Sequence, residues 1–231
     1  MYEIDLILSA EKECVSQTNT VLNELIEYDY ELFINYLKIS EKYSKKRPKR
    51  NIERPVAILF INDRIFKTLY CVLDLLKKGH YNESASLQRG VLELVTLAEY
   101  FLKNPQDSQL WIDGKTIKFA KANKGNSSPQ FDREIYDYLC DFTHPNSRST
   151  IRESGVIHPE LGRSFSFKPF FQCELARDLL THHITLTHRA MKAFLKFIED
   201  FHTDVDAEDS ENVNAINEKL VEVFKFLQEE I

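Results

Sequence analysis

Residues 87–102, LQRGVLELVTLAEYFL, decide how the rest of the chain is read. At about 100° per residue, Leu87, Val91, Leu94, Ala98 and Leu102 fall on one side of a helix, and Leu92 and Leu97 carry the apolar surface round toward the other. A helix apolar on almost every side belongs inside a bundle rather than on its surface. Arg89 and Glu93 interrupt that surface one turn apart, on the side of Thr96 and Tyr100. Charged side chains are rarely buried unless paired, so the two are expected either to form a buried i,i+4 ion pair or to line a polar pocket. In the pocket reading, Glu93 orients the Arg89 guanidinium to hold an anion. Gly90 between them costs about 1 kcal/mol of helix propensity relative to Ala, which predicts close approach by another backbone.

Working outward, the same periodicity predicts five or six helices. Residues 4–45 repeat apolar positions at Ile4, Leu8, Val15, Leu22, Ile26, Phe33 and Leu37, as one long helix or as two with a break near Asn19. Pro55 suits the first turn of a helix that Gly79 terminates, and the helix holding Arg89 runs over 82–103, ahead of Pro105. Asp107 or Ser108 can start a shorter amphipathic helix through Trp111 and Phe119, and residues 124–128 form a loop. Ser128 and Pro129 read as cap and first helical position of a helix that His144-Pro145 ends. Pro145, Gly155, Pro159, Gly162 and Pro169 then make 145–171 an irregular excursion or a short hairpin. A long helix follows over 172–201. The fold expected is an all-α bundle of long helices with one irregular loop before the penultimate helix. Residues 1–203 form the bundle domain, 204–211 an acidic linker, and 212–231 a C-terminal amphipathic helix. The stripe Val213, Ile216, Leu220, Val223, Phe224, Leu227 and Ile231 requires a docking surface on this chain or on a second copy.

Composition agrees. The chain of 231 residues is 43% hydrophobic with only 6 Gly and 7 Pro, long enough for a substantial core without covalent staples. Cys14, Cys71, Cys140 and Cys173 are far apart in helical patterns, as expected of reduced core thiols in a cytoplasmic protein. No basic leader opens the sequence and no apolar run reaches the roughly 20 residues of a membrane span, so neither secretion nor membrane insertion is expected. Seven acidic residues and no Lys or Arg lie in 199–211, and taking those seven from the net charge of -6 leaves the remainder at +1. Residues 41–54 carry Lys42, Lys45, Lys46, Arg47, Lys49, Arg50 and Arg54 against Glu41 and Glu53, a local charge of +5 that reads as a solvated linker or a phosphate contact.

The chemistry-bearing candidates are few. His144, at a helix end in the segment from Tyr138 to Asn146, is placed to turn back toward Arg89 and Glu93, where a carboxylate would hold an imidazole near neutrality for acid or base work. The alternative is a histidine that only caps carbonyls. Glu174, Asp178 and His182 have the i,i+4 ladder of di-metal bundles, but the partner helix with Glu-x-x-His is lacking, so no metal or other cofactor is expected. His182 reads instead as a core histidine bonded to a neighbouring helix. No dinucleotide, P-loop, serine-hydrolase or zinc-finger motif occurs in the sequence.

Arg152 and His158 are separated by five residues, and on this spacing the chain resembles the HEPN helical bundles, whose nucleases carry Arg, four to six residues, then His. Glu153 stands where that family has Asn, Asp or His. The resemblance implies metal-independent RNA cleavage in a bacterial toxin or defence system, with His144 or His158 as acid/base and Arg89, Arg148 or Arg152 on phosphate. A second resemblance, over the central third of the chain, is to bacterial helical proteins that pair Arg-x-x-x-Glu with a later Tyr-Leu-x-x-x-x-His-Pro. Arg89, Glu93, Tyr138, Leu139, His144 and Pro145 supply both pieces. It implies a shared polar site, with Asn146 beside it, but no activity. Two functions follow as expectations: an RNA-acting protein, or a non-catalytic interaction module that is homodimeric, or bound to another protein, through its terminal helices.

Overall fold

The computed structural model describes residues 3–46, 53–126, 128–143, 157–158, 162–163, 168–201, 206–209, 211–212, 214–216 and 218–219. The fold is all-α: α1 (Glu3–Val21), α2 (Asn23–Ser44), α3 (Glu53–Lys77), α4 (Tyr81–Lys103), α5 (Pro105–Ile112), α6 (Phe119–Asn123), α7 (Pro129–Thr143) and α8 (Cys173–Phe201). Between α7 and α8, β1 (Ile157–His158) pairs antiparallel with β2 (Gly162–Arg163), in the register Ile157 to Arg163 and His158 to Gly162. The excursion at 145–171 therefore contains the short hairpin that its Gly and Pro spacing allows.

Two of the helix ends are set by glycine. After α3 the Gly79 N–H donates to Leu76 O at 3.1 Å and the His80 N–H to Leu75 O at 3.0 Å, the Schellman pattern, with Gly79 at φ 82°. A Cβ there would meet Cys14 Sγ at 3.0 Å and the Phe170 carbonyl at 3.2 Å, so both the backbone and the space demand glycine. Gly114 repeats the device after α5, with φ 85° and with Gly114 and Lys115 N–H groups donating to Trp111 O and Leu110 O. This corrects the single amphipathic helix expected through Phe119: a left-handed glycine splits it into α5 and α6. Asn104, not Asp107 or Ser108, occupies the cap position, with Pro105 next; Ser108 sits inside the helix, donating from Oγ to Pro105 O. The N-terminal helix breaks at Leu22 rather than Asn19, after a stretch of Thr, Asn and Val with low helix propensity.

The residues gather into two compact units, and α2, α3, α4 and α8 each contribute to both. In the unit built from residues 1–26, 67–92 and 128–183, the core includes Leu69, Leu76, Tyr81, Leu92, Leu139 and Leu179. Two polar side chains inside it reach across to backbone carbonyls: Gln88 Nε2 donates to Leu179 O at 3.0 Å, and His183, fully buried, donates from Nε2 to Leu69 O at 3.0 Å. The bonded core histidine is thus His183, one position from the expected His182.

In the unit of residues 27–66, 93–127 and 184–231, Tyr36, Ile61, Phe101, Phe194 and Phe197 fill the centre. The Tyr36 hydroxyl donates to Asn62 Oδ1, whose amide in turn donates to Ser40 Oγ. Arg189 grips Glu99 through Nε and Nη2, at 3.2 and 2.8 Å. Residues 207–209, expected as linker, are helical, and Ile216 is buried with its carbonyl accepting from the Tyr28 hydroxyl at 3.0 Å. That part of the C-terminal stripe docks on α2 of the same chain. All four cysteines are free, but only Cys14 is buried and Cys71 is exposed, so the expectation of four core thiols fails at Cys71. Among the described residues no helix is long and apolar enough to cross a membrane.

Candidate functional site

Helix α7 presents the site. Its apolar stripe Ile135, Leu139 and Phe142 is buried, and one residue further round lie Tyr136, Cys140 and Thr143, also a turn apart. Arg89 of α4 meets this second row: its Nη1 donates to Thr143 Oγ1 at 2.9 Å, lies 4.0 Å from Cys140 Sγ, and the guanidinium sits over the Tyr136 ring, 5.6 Å from the centroid. Thr143 is itself fixed, its hydroxyl donating to Cys140 O at 3.0 Å. A hydroxyl and a ring face thus fix the direction in which the guanidinium points. The face holding Arg89 and Glu93 is half-open rather than sealed, since both side chains are of intermediate exposure. Arg89 belongs to the first unit and Glu93 to the second. Gly90 does not mark a close backbone approach, because a Cβ there would meet nothing within 4 Å.

Tyr138 stands on the opposite flank of the α7 stripe and faces α8. Its hydroxyl donates weakly to Asp178 Oδ2 at 3.5 Å, and its ring lies 5.0 Å from the His182 ring and 5.3 Å from Phe142. Burial pushes the His182 imidazole below its ordinary pKa, against the opposing pull of Asp178, so at neutral pH it is an uncharged base. Its Nδ1 is buried with no partner among the described residues. Tyr138, Asp178 and His182 therefore form a second polar cluster that the sequence hinted at only through the Asp178, His182 spacing. Among the described residues no group of three or more His, Cys, Asp or Glu is placed to hold a metal ion.

His144, Asn146, Arg148 and Arg152 lie outside the described residues. His158 is described through its backbone, which is paired in β1, so the Arg152, His158 spacing ends on a strand rather than at a helix start. Comparison of the chain with family models, with curated proteins and with solved structures finds no match.

Proposed function

We propose that the chain is a HEPN-like, RNA-acting helical protein of the cytoplasm, of the bacterial toxin or defence type, that cleaves phosphodiesters without metal. Arg89 takes the phosphate and His144 serves as acid and base. The observation behind this reading is the anchoring of the Arg89 guanidinium on Thr143, the residue that immediately precedes His144. In the reaction, the RNA 2′-oxygen attacks the adjacent phosphorus while the imidazole takes its proton. The bond to the 5′-oxygen breaks and the same proton goes to that leaving oxygen. Arg89 offsets charge gathering on the non-bridging oxygens. His144 is favoured over His158 because the latter occupies a two-residue strand, unlike the motif position in the nucleases the chain resembles.

The test is incubation of end-labelled RNA with purified protein in EDTA. Cleavage by the wild type is expected, falling to background in Arg89→Ala and His144→Ala and persisting in His158→Ala. An inactive wild type removes the ribonuclease reading; loss in His158→Ala alone reassigns the histidine.

A second reading, a non-catalytic interaction module, is favoured by α1. Ile4, Ile7 and Leu8 share one face of that helix and are 64, 40 and 48% exposed. A second copy of the chain would cover this face, and sedimentation is then expected to give a dimer that Ile7→Asp dissociates. A monomer at all concentrations rejects this self-association.

A further inference from the structure

Two segments of opposite charge meet in the second unit. The acidic segment brings Asp206 Oδ2 and Asp209 Oδ2 to Lys42 Nζ at 2.8 and 2.7 Å. Tyr43 joins them: its hydroxyl donates to Asp209 Oδ2 at 2.7 Å and accepts from the Asp206 N–H at 3.0 Å. Lys46 places its ammonium 4.6 Å from the centre of the Tyr43 ring. The phenol side chain is 2% exposed and therefore a fixed donor, whereas the lysines at the end of α2 reach solvent.

We propose that Lys42, Tyr43 and Lys46 form a contact surface for the phosphate backbone of single-stranded RNA, which Asp206 and Asp209 occupy in the free chain as an internal competitor. Two carboxylate oxygens meet the ammonium and one of them also accepts from the phenol O–H, positions that the two non-bridging oxygens of a phosphodiester can take. The sequence supplies the setting: +5 over residues 41–54 against seven acidic residues over 199–211. The Lys42–Asp206 pair is exposed and screened by salt, and although Asp209 is more enclosed, a polyanion making several contacts competes with both. The surface is electrostatic rather than a stacking platform, because the Tyr43 ring is buried. The choice of RNA rests on the proposed function; the existence of the masked surface does not.

The test compares wild type with Asp206→Asn/Asp209→Asn in fluorescence anisotropy at low salt, using a short unstructured RNA and, separately, inorganic polyphosphate. Removing the two competing charges is expected to tighten both by about tenfold, with a steeper loss of affinity as salt rises. Adding Lys42→Ala/Lys46→Ala to the double variant should cancel the gain, with unchanged circular dichroism showing that the fold is retained. RNA binding that is equal in wild type and double variant overturns the inference while the RNA reading stands. A gain for polyphosphate with no RNA binding by either protein sinks RNA as the partner and keeps the masked polyanion surface. No gain with either probe overturns the surface itself.

Discussion

Acidification from pH 6.5 to pH 4 is expected to cost the fold about 3 kcal/mol through His188 alone. The side chain is 6% exposed, and its Nε2 is buried without a partner among the described residues. Burial, with a smaller push from the Lys192 ammonium, lowers its pKa from 6.5 to about 4. In the unfolded chain the imidazole takes up a proton as the pH drops below 6.5; in the folded chain it stays neutral until about pH 4. Within that window the unfolded state binds more protons, so stability falls with falling pH; below it both states are protonated and this group adds no further loss. The shift at His182 has the same sign and adds to the slope. Asp107, held down by Lys121 and Tyr100, and Asp206, held down by Lys42, lose their contributions only below the usual carboxylate value of 3.8, which separates the two effects. Urea unfolding midpoints at neutral pH and near pH 4.5 provide the check. His188→Leu should flatten most of the slope; an unchanged slope would mean that the histidine is hydrated or paired.

The helices were legible because each is written in local signals. Pro105 and Pro129 sit at first helical positions, Gly79 ends α3, and apolar residues recur at helical spacing. What failed was whatever depends on how a helix is rotated about its axis or on who its distant partner is. His182 and His183 differ by 100° around α8, and only packing against α3 decides that His183 meets Leu69 O. Cys71 looks like a core thiol in a pattern where Leu69 and Val72 are buried beside it, yet it falls on the open side of α3. Gly114 does not read as a stop because the apolar pattern resumes at Phe119 after the turn. For the candidate site, sequence singled out Arg89 and the stretch leading to His144, and Arg89 does meet the last turn of α7. It did not single out Thr143, Cys140 or Tyr136, whose spacing along α7 matches any helix row until α4 is laid against it.

Glu99 of α4 pairs with Arg189 of α8, and that pairing carries the second large effect. Arg189→Ala is expected to destabilise the protein by about 2 kcal/mol. The two side chains are 18 and 23% exposed and meet through two hydrogen bonds, a bidentate fork that no lysine reproduces. Removing the guanidinium leaves a carboxylate already stripped of much of its water, and that orphaned charge, rather than the lost attraction, accounts for most of the cost. The loss stops short of the 3–5 kcal/mol of a fully buried pair for a local reason. Glu99 also lines a cavity of about 310 Å³ with Lys103, Lys192, Lys196 and Asp200, a polar setting in which solvent can reach the bare carboxylate. Glu99→Gln in the Arg189→Ala background removes the orphan and should recover about half of the loss. Denaturation midpoints of the two single variants and the double variant give the coupling directly. If Arg189→Ala moved stability by under about 0.5 kcal/mol, the pair would be a screened surface contact, and α4 and α8 would owe their alignment in this unit to Phe101, Phe194 and their apolar neighbours alone.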